Sequence, residues 1–167
     1  MKEFKIEEYN KNFFTEIDKK WGIVVSGNKN IGANGMTVSW GGIGVIWNRC
    51  VCYLFVRKSR YTHDFFDKTN NCSISFLSDD YKKAKALFGS KSGKDIDKFK
   101  ETNLNLEYDQ ELDTYYIKEA DNCFLLEVLY SIDLPIDKLD SKIKDRFYPT
   151  NDIHTMYVCE IKKCLEK

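Results

Sequence analysis

Short strand-like segments recur along this chain, and helices do not separate them in a regular alternation. Their apolar residues alternate with polar ones or form brief continuous runs of strand length. The segments are Trp21–Ser26, Met36–Trp40, Val51–Val56, Cys72–Leu77, Thr114–Lys118, Cys123–Ile132 and His154–Ile161. Parallel neighbours require long, usually helical crossovers, so this order favours antiparallel pairing. We therefore expect a mainly β protein: a closed or nearly closed antiparallel barrel with peripheral helices.

Local signals predict short helices and one hairpin between these strands. The first helix is predicted from Tyr9 to Lys19, with Phe13, Phe14 and Ile17 on one side. The other predicted helices are Thr62–Lys68, Ser78–Phe88, Ile96–Phe99 behind a capping box at Ser92–Asp95, and Ile136–Phe147 before Pro149. The triplet Ala120-Asp121-Asn122 predicts a hairpin between the strands on either side of it.

Length and charge exclude several classes of protein. The 167 residues fit a single domain spanning 1–167. Basic and acidic side chains balance at 26 each, which argues against a nucleic-acid binder that needs a basic surplus. Met1 leads into charged sequence rather than an apolar signal peptide, and no apolar run is long enough to span a membrane. We expect a cytoplasmic protein.

The six cysteines show neither a C-x-x-C pair nor the His/Cys spacing of a zinc site. In a cytoplasmic protein such residues are reduced thiols. We therefore expect them to be core or strand residues and expect no metal site.

A basic, hydroxyl-rich turn, Arg57-Lys58-Ser59-Arg60-Tyr61-Thr62, lies between a buried strand and a predicted helix start. Arginine side chains, the hydroxyls of Ser59 and Thr62, and free amides at a helix N-terminus are suitable partners for a phosphate. Short basic turns are also common on solvated surfaces. On local sequence alone the two interpretations are about equal.

Thr37 and Ser39 lie on one face of the Met36–Trp40 segment, beside Gly35 and the run Gly41–Gly44. Glycines allow a ligand close to the backbone, and hydroxyls and amides suit the polar edge of a flat ring such as a flavin. An edge strand with one wet face explains the same pattern, and the pattern alone favours it.

Trp40, Trp47 and His154 each have a structural and a ligand-binding interpretation. Tryptophans flanked by apolar residues are more often core residues than stacking surfaces. A single histidine opening a strand is usually a hydrogen-bonded structural residue.

No motif for catalysis by the protein's own side chains is present. The sequence contains no G-x-S-x-G, no G-x-G-x-x-G and no Walker loop. Redox chemistry in this chain would therefore depend on a bound cofactor.

Three stretches occur in an order that resembles the flavin reductase-like proteins of the FMN-binding split-barrel superfamily, especially the flavoredoxin-type branch. They are Asn34-Gly35-Met36-Thr37-Val38-Ser39-Trp40-Gly41, Val56-Arg57-Lys58-Ser59-Arg60-Tyr61-Thr62 and Ser90-Lys91-Ser92-Gly93-Lys94-Asp95-Ile96-Asp97-Lys98-Phe99. A weaker match is His154 followed by Tyr157–Ile161.

The resemblance implies a six-stranded antiparallel FMN-binding split barrel that forms a homodimer with FMN at the subunit interface. Residues that would line the flavin are Asn34, Met36, Thr37, Val38, Ser39 and Trp40. Residues that would hold its phosphate and ribityl chain are Arg57, Ser59, Arg60, Tyr61 and Thr62. Lys91, Ser92 and Gly93 would approach from a loop, and His154 would lie near the ring. Cys159 stands where the family usually has glycine.

The resemblance supports two functional hypotheses. In the first, the chain is a flavin reductase-type enzyme that passes hydride or electrons from NAD(P)H to flavin and on to an acceptor. In the second, it is an FMN electron carrier that a redox protein partner reduces, without NAD(P)H activity of its own. A ligand-free barrel used for protein contacts is a third possibility.

Overall fold

The computed structural model describes all residues from 1 to 167, and most of its ordered backbone is antiparallel β-sheet. The strands are β1 (Lys2–Phe4), β2 (Gly22–Asn28), β3 (Gly32–Val38), β4 (Gly41–Ile46), β5 (Arg49–Arg57), β6 (Asn71–Phe76), β7 (Leu106–Asp109), β8 (Thr114–Ile117), β9 (Asn122–Asp133) and β10 (His154–Glu166). The helices are α1 (His63–Phe66), α2 (Lys82–Ser90), α3 (Lys98–Thr102) and α4 (Ser141–Phe147). Short 3-10 turns occupy Ile6–Glu8, Asp79–Tyr81 and Ile136–Lys138, and a π-helical turn spans Thr15–Lys20.

One sheet forms a split barrel. Its strand order is β3-β2-β6-β9-β10-β5-β4, with β1 added along β10. Six strands, β2, β3, β5, β6, β9 and β10, send side chains into one buried cluster. Central members of that cluster are Val24, Met36, Leu54, Ile74, Phe124 and Tyr157. The expected mainly β fold, a six-stranded split barrel with peripheral helices, is confirmed.

A second core lies on the outer side of β2, β6 and β9. Ile23, Val25 and Leu125 alternate with the barrel residues along their strands and belong, with Phe88 of α2, to one buried cluster. This packing fixes α2 against the barrel, and the segment from Ser90 to Asp97 leaves from the end of α2. The segment is therefore held beside β3.

The hairpin predicted at Ala120-Asp121-Asn122 is wrong. β8 pairs with β7, bringing Tyr115 opposite Tyr108, while β9 pairs with β6 and β10. Both faces of the first part of β9 are buried, so burial in the middle of the large sheet outweighs the local turn signal.

Three helix predictions differ in extent. In the segment predicted as a helix from Tyr9 to Lys19, helical backbone begins only at Phe13 and continues to Lys20. Helix α3 begins at Lys98, where Asp97 accepts a hydrogen bond from the Lys100 amide instead of a capping box at Ser92. The stripe predicted from Ile136 to Phe147 divides into a 3-10 turn and α4, neither of which contains a buried residue.

Phe13 and Phe14 lie on opposite sides of the chain before β2, although both were expected on one side. Phe13 is 9% exposed and packs edge-on against Phe76, with 5.7 Å between ring centroids, whereas Phe14 is 84% exposed. Only Phe13 and Ile17, four residues apart, share the buried face.

This contrast gives a matched pair of substitutions. Phe13→Ala removes a core ring, so it should lower the free energy of unfolding by about 3 kcal/mol. Phe14→Ala removes an exposed ring and should change it by less than about 0.5 kcal/mol. Urea unfolding followed by circular dichroism measures both. Equal losses in the two variants would contradict the placement of these rings.

Candidate functional site

Two adjoining cavities lie where β3 meets the turn after β5. The first, here called the strand cavity, has a volume of about 220 Å³ and is lined by Met36, Thr37, Val38, Ser39, Trp40, Phe55, Arg57, Arg60 and His154. The second, the loop cavity, has a volume of about 160 Å³ and is lined by Asn34, Ser59, Arg60, Tyr61, Thr62, Ser90, Lys91, Ser92, Gly93 and Lys98. Arg60 lines both. Every residue that the family resemblance assigned to the flavin site thus lines one of the two cavities.

Arg57 attaches the segment after α4 to the barrel. Its guanidinium donates to the Asp152 carbonyl at 2.6 Å and to the Phe147 carbonyl at 2.9 Å. The Asp152 carboxylate in turn accepts hydrogen bonds from the amide and the hydroxyl of Ser59, at 3.2 and 2.7 Å. Arg57 and Ser59 therefore have protein partners, although both border the cavities.

Arg60 attaches the C-terminal end of α2 to the turn after β5. Its guanidinium donates to the carbonyls of Gly89, at 2.7 Å, and Phe88, at 3.0 Å, which belong to the last turn of the helix. Such carbonyls have no partner within a helix and favour a cation. Burial lowers the pKa of this guanidinium. The basic turn is thereby fixed to the segment that carries Ser90 to Gly93.

Asn34 closes the loop cavity on the side of β3. Its Nδ2 donates to the buried Thr62 hydroxyl at 2.8 Å. A Cβ added at Gly93 would lie 2.0 Å from Asn34 Oδ1, so only glycine fits opposite this side chain. Thr62, the first residue of the helix predicted as Thr62–Lys68, lies at the N-terminus of α1, where its side chain makes no capping bond and instead accepts from Asn34 of β3.

Lys98 is a lining residue to which the sequence analysis assigned no role. It is only 3% exposed, and its Nζ donates to the Lys91 carbonyl at 3.3 Å and lies 5.2 Å from the Phe88 ring centroid. Burial, with a smaller effect of Arg60, lowers the pKa of Lys98 to about 8. Its position within the matched Ser90–Phe99 stretch was the available signal, but a lysine in a short helix is usually solvated.

His154 and Trp40 form the far wall of the strand cavity. The rings lie 5.0 Å apart, and Trp40 packs edge-on against Phe147. His154 Nδ1 lies 2.8 Å from the Tyr148 hydroxyl. Burial, with a smaller effect of Arg57, lowers the pKa of His154 to about 4, so the imidazole is neutral at pH 7. His154 is therefore hydrogen-bonded as expected and also faces the cavity.

The prediction that Trp40 and Trp47 are core residues is wrong. Trp40 follows the end of β3 and is 39% exposed at the cavity mouth. Trp47 is 56% exposed because it occupies, with Asn48, a two-residue turn of positive φ between β4 and β5. Such a turn suits the twist of a hairpin and directs the side chain outward.

The glycines near Thr37 allow strand packing rather than the approach of a ligand. A Cβ at Gly41 would lie 2.7 Å from the Tyr53 carbonyl, and one at Gly35 would lie 3.0 Å from the Phe88 ring. The Thr37 hydroxyl donates to the Lys85 carbonyl, so its oxygen remains available to accept a hydrogen bond.

With this geometry established, comparison with known proteins identifies the family. The model of the flavin reductase like domain matches residues 17–167. The chain belongs to the flavin reductase-like family. No curated protein sequence matches it significantly.

Solved structures share the fold at low sequence identity. Flavoredoxin from Methanosarcina acetivorans has a TM-score of 0.70 at 20% identity, covering 89% of this chain and 68% of that one. An FMN-binding protein from Thermus thermophilus has a TM-score of 0.69 at 16% identity, covering 100% and 82%. An NADH:FAD oxidoreductase from Streptomyces globisporus C-1027 has a TM-score of 0.65 at 16% identity, covering 89% and 75%. None of the helices in the structure has the length and apolar character of a membrane span.

The buried His154 predicts an acid-sensitive step in stability. Its pKa falls from 6.5 to about 4 on folding, so between these values the unfolded chain binds a proton that the folded protein does not. Above pH 6.5 His154 is neutral in both states, and the free energy of unfolding is at its full value. As the pH falls from 6.5 to about 4, protonation of the unfolded chain lowers the free energy of unfolding. In His154→Gln, the free energy of unfolding should fall less steeply over the same range. His63→Gln, which removes the other histidine, is the control, and equal slopes for His154→Gln and the parent would contradict the assignment.

Proposed function

We propose that this chain is a flavin reductase-type oxidoreductase that holds FMN in the joined strand and loop cavities and takes electrons from NAD(P)H. The observation that supports the proposal is the pairing of the two cavities in a flavin reductase-like chain. One is a slot lined by hydroxyl and aromatic groups, and the other is a pocket lined by cations and hydroxyls. FMN has a flat ring at one end and a phosphate at the other.

The strand cavity fits the ring. β3 is the end strand of the sheet, so one edge of its backbone is not used for pairing and is free to bind a ligand. Met36, Thr37, Val38 and Ser39 would present amides and hydroxyls to the polar edge of the ring, and Trp40 would cover its rim. His154, neutral at pH 7, would supply a hydrogen bond rather than a charge.

The loop cavity fits the phosphate. Thr62, Ser92 and Lys91 line it from two segments that Arg60 holds together, and Asn34 and Gly93 close its third side. No carboxylate lines this cavity. Donors and positive charge on all sides are the environment that a phosphate monoester requires.

FMN, when bound, would supply the redox chemistry of hydride and electron transfer, for which the side chains of this chain provide no group. The residues of this chain would orient the ring and anchor the phosphate. No side chain in the cavities needs to act as a nucleophile or as a general acid.

Absorbance spectroscopy tests this function. The purified protein with FMN should lose its visible flavin band when NADH or NADPH is added under anaerobic conditions, and chromatography of the released flavin distinguishes FMN from FAD. Protein without nicotinamide is the control. A band that survives both nicotinamides but disappears with a reduced redox protein would contradict the reductase and support the FMN electron carrier, which the likeness to flavoredoxin favours.

We also propose that the protein forms a homodimer through the outer face of β9, β10 and β5. Tyr130 and Ile132 are 46% and 41% exposed, and the Trp47 ring lies 6.4 Å from that of Tyr130. Ile132 lies opposite Met156, which lies opposite Phe55 of the strand cavity. Apolar groups exposed together mark association surfaces, and a second copy seated here would border the cavity.

Sedimentation velocity tests the dimer. The parent should sediment at twice the mass of the 19.6 kDa chain, and Tyr130→Lys/Ile132→Lys should sediment as a monomer because two ammonium groups would be desolvated in the interface. Ile31→Lys, in the turn between β2 and β3, is the matched control and should remain dimeric. A parent that sediments as a monomer would refute this part of the proposal.

A further inference from the structure

The two arginines of the basic turn have their hydrogen bonds directed at the protein. Arg57 donates to the Phe147 and Asp152 carbonyls, and Arg60 donates to the Phe88 and Gly89 carbonyls. The sequence feature that best indicated a phosphate site is thus largely engaged in fixing α2 and the segment after α4. The charge that meets an incoming anion must include another residue.

Lys98 is a buried cation without a counter-ion. It is 3% exposed and forms no ion pair. Its Nζ donates to one acceptor, the Lys91 carbonyl at 3.3 Å, and the charged group that lowers its pKa is Arg60, a like charge. An ammonium has three N–H donors, so two remain without a protein partner. Burying a charge without compensation costs several kcal/mol, which makes such an arrangement rare in a purely structural position.

The hydroxyls around Lys98 are also free to donate. Thr62 Oγ1 accepts from Asn34, and Ser92 Oγ accepts from the Lys94 amide at 3.2 Å, so each keeps its own proton for another acceptor. Both residues line the 160 Å³ loop cavity with Lys98 and Arg60. The cavity therefore combines several unused donors with three cations, Arg60, the exposed Lys91 and the buried Lys98, in a small volume.

We propose that Lys98 is the residue that selects phosphorylated flavins, because its buried ammonium provides the counter-charge for the terminal phosphate in the loop cavity. The inference deepens the proposed function and rests on flavin binding at this site. Riboflavin, which lacks the phosphate, would gain nothing from Lys98. The residue is thus a specificity determinant and takes no part in electron transfer.

The charged groups around Lys98 determine how its contribution to FMN affinity should depend on pH. Arg60 faces it from the basic turn, and Lys91, Lys94, Asp95 and Asp97 belong to the segment that precedes it. Asp64 of α1 lies 3.6 Å from Lys94, and the Asp97 carboxylate is bound to the Lys100 amide. A phosphate dianion is already fully ionised above pH 7. FMN affinity should therefore fall as the pH rises through the Lys98 pKa of about 8, whereas riboflavin affinity should not.

Flavin fluorescence titration measures the selectivity. In Lys98→Met the dissociation constant for FMN should rise about 10- to 100-fold, because the phosphate loses its charge-assisted hydrogen bonds to the ammonium. The dissociation constant for riboflavin should change less than about threefold. Lys98→Arg should retain most of the preference and lose the pH dependence. Lys100→Met, in the same helix, is the matched control and should match the parent.

Two further readouts separate this role from a structural one. Lys98→Met removes a buried unpaired charge, so the unliganded variant should melt at a higher temperature than the parent; a structural lysine would give a lower one. In the parent, inorganic phosphate should compete with FMN but not with riboflavin, a measurement that needs no variant. An unchanged FMN-to-riboflavin ratio in Lys98→Met, or no competition by phosphate, overturns the inference while leaving flavin binding intact. A parent that binds neither flavin overturns the proposed function and this inference with it.

Discussion

The geometry of the candidate site depends on the hydrogen bonds of Arg60 to the last carbonyls of α2. They join the turn after β5 to a helix that begins more than twenty residues later, and the helix leads directly into Ser90–Gly93. The contact of Asn34 with Thr62 and Gly93 then locks β3 onto both segments. Arg60 therefore adds a direct link between the two segments that line the loop cavity, beside the packing of Phe88 and the contacts of Asn34.

The distribution of charge follows from the same arrangement. Carbonyls at the end of a helix attract the nearest guanidinium, and Arg60 satisfies them at short range. This leaves the loop cavity without carboxylates and with two further cations, Lys91 and Lys98, of which the buried Lys98 has no protein counter-ion. An uncompensated charge in the free protein is typical of a binding site whose ligand carries the opposite charge. Such a site lowers the stability of the free protein and raises the affinity for the ligand.

The strand cavity is built differently, from residues of β3, β5 and β10 and of the segments that follow β3 and β5, with α4 packed behind Trp40. β3 and β5 are fixed by the barrel core, whereas α4 contains no buried residue and is held through Arg57 and the Trp40–Phe147 contact. Cys159, at the position where the family usually has glycine, is fully buried in the barrel core beside Cys52. The larger side chain is therefore accommodated inside the barrel and does not reach the cavity.

The sequence by itself determined the class of fold and most of the residues that line the two cavities, but not Phe55 or Lys98. Strand alternation has a period of two whatever the neighbours are, so Met36 and Val38 face inward and Thr37 outward without knowledge of the partner strands. Tertiary structure alone decided the partner of β8, the exposure of Phe14 and Trp47, the acceptors of Arg57 and Arg60, and the burial of Lys98. These features depend on which carbonyls and apolar surfaces from distant parts of the chain lie close to a side chain. Local sequence does not determine those distances.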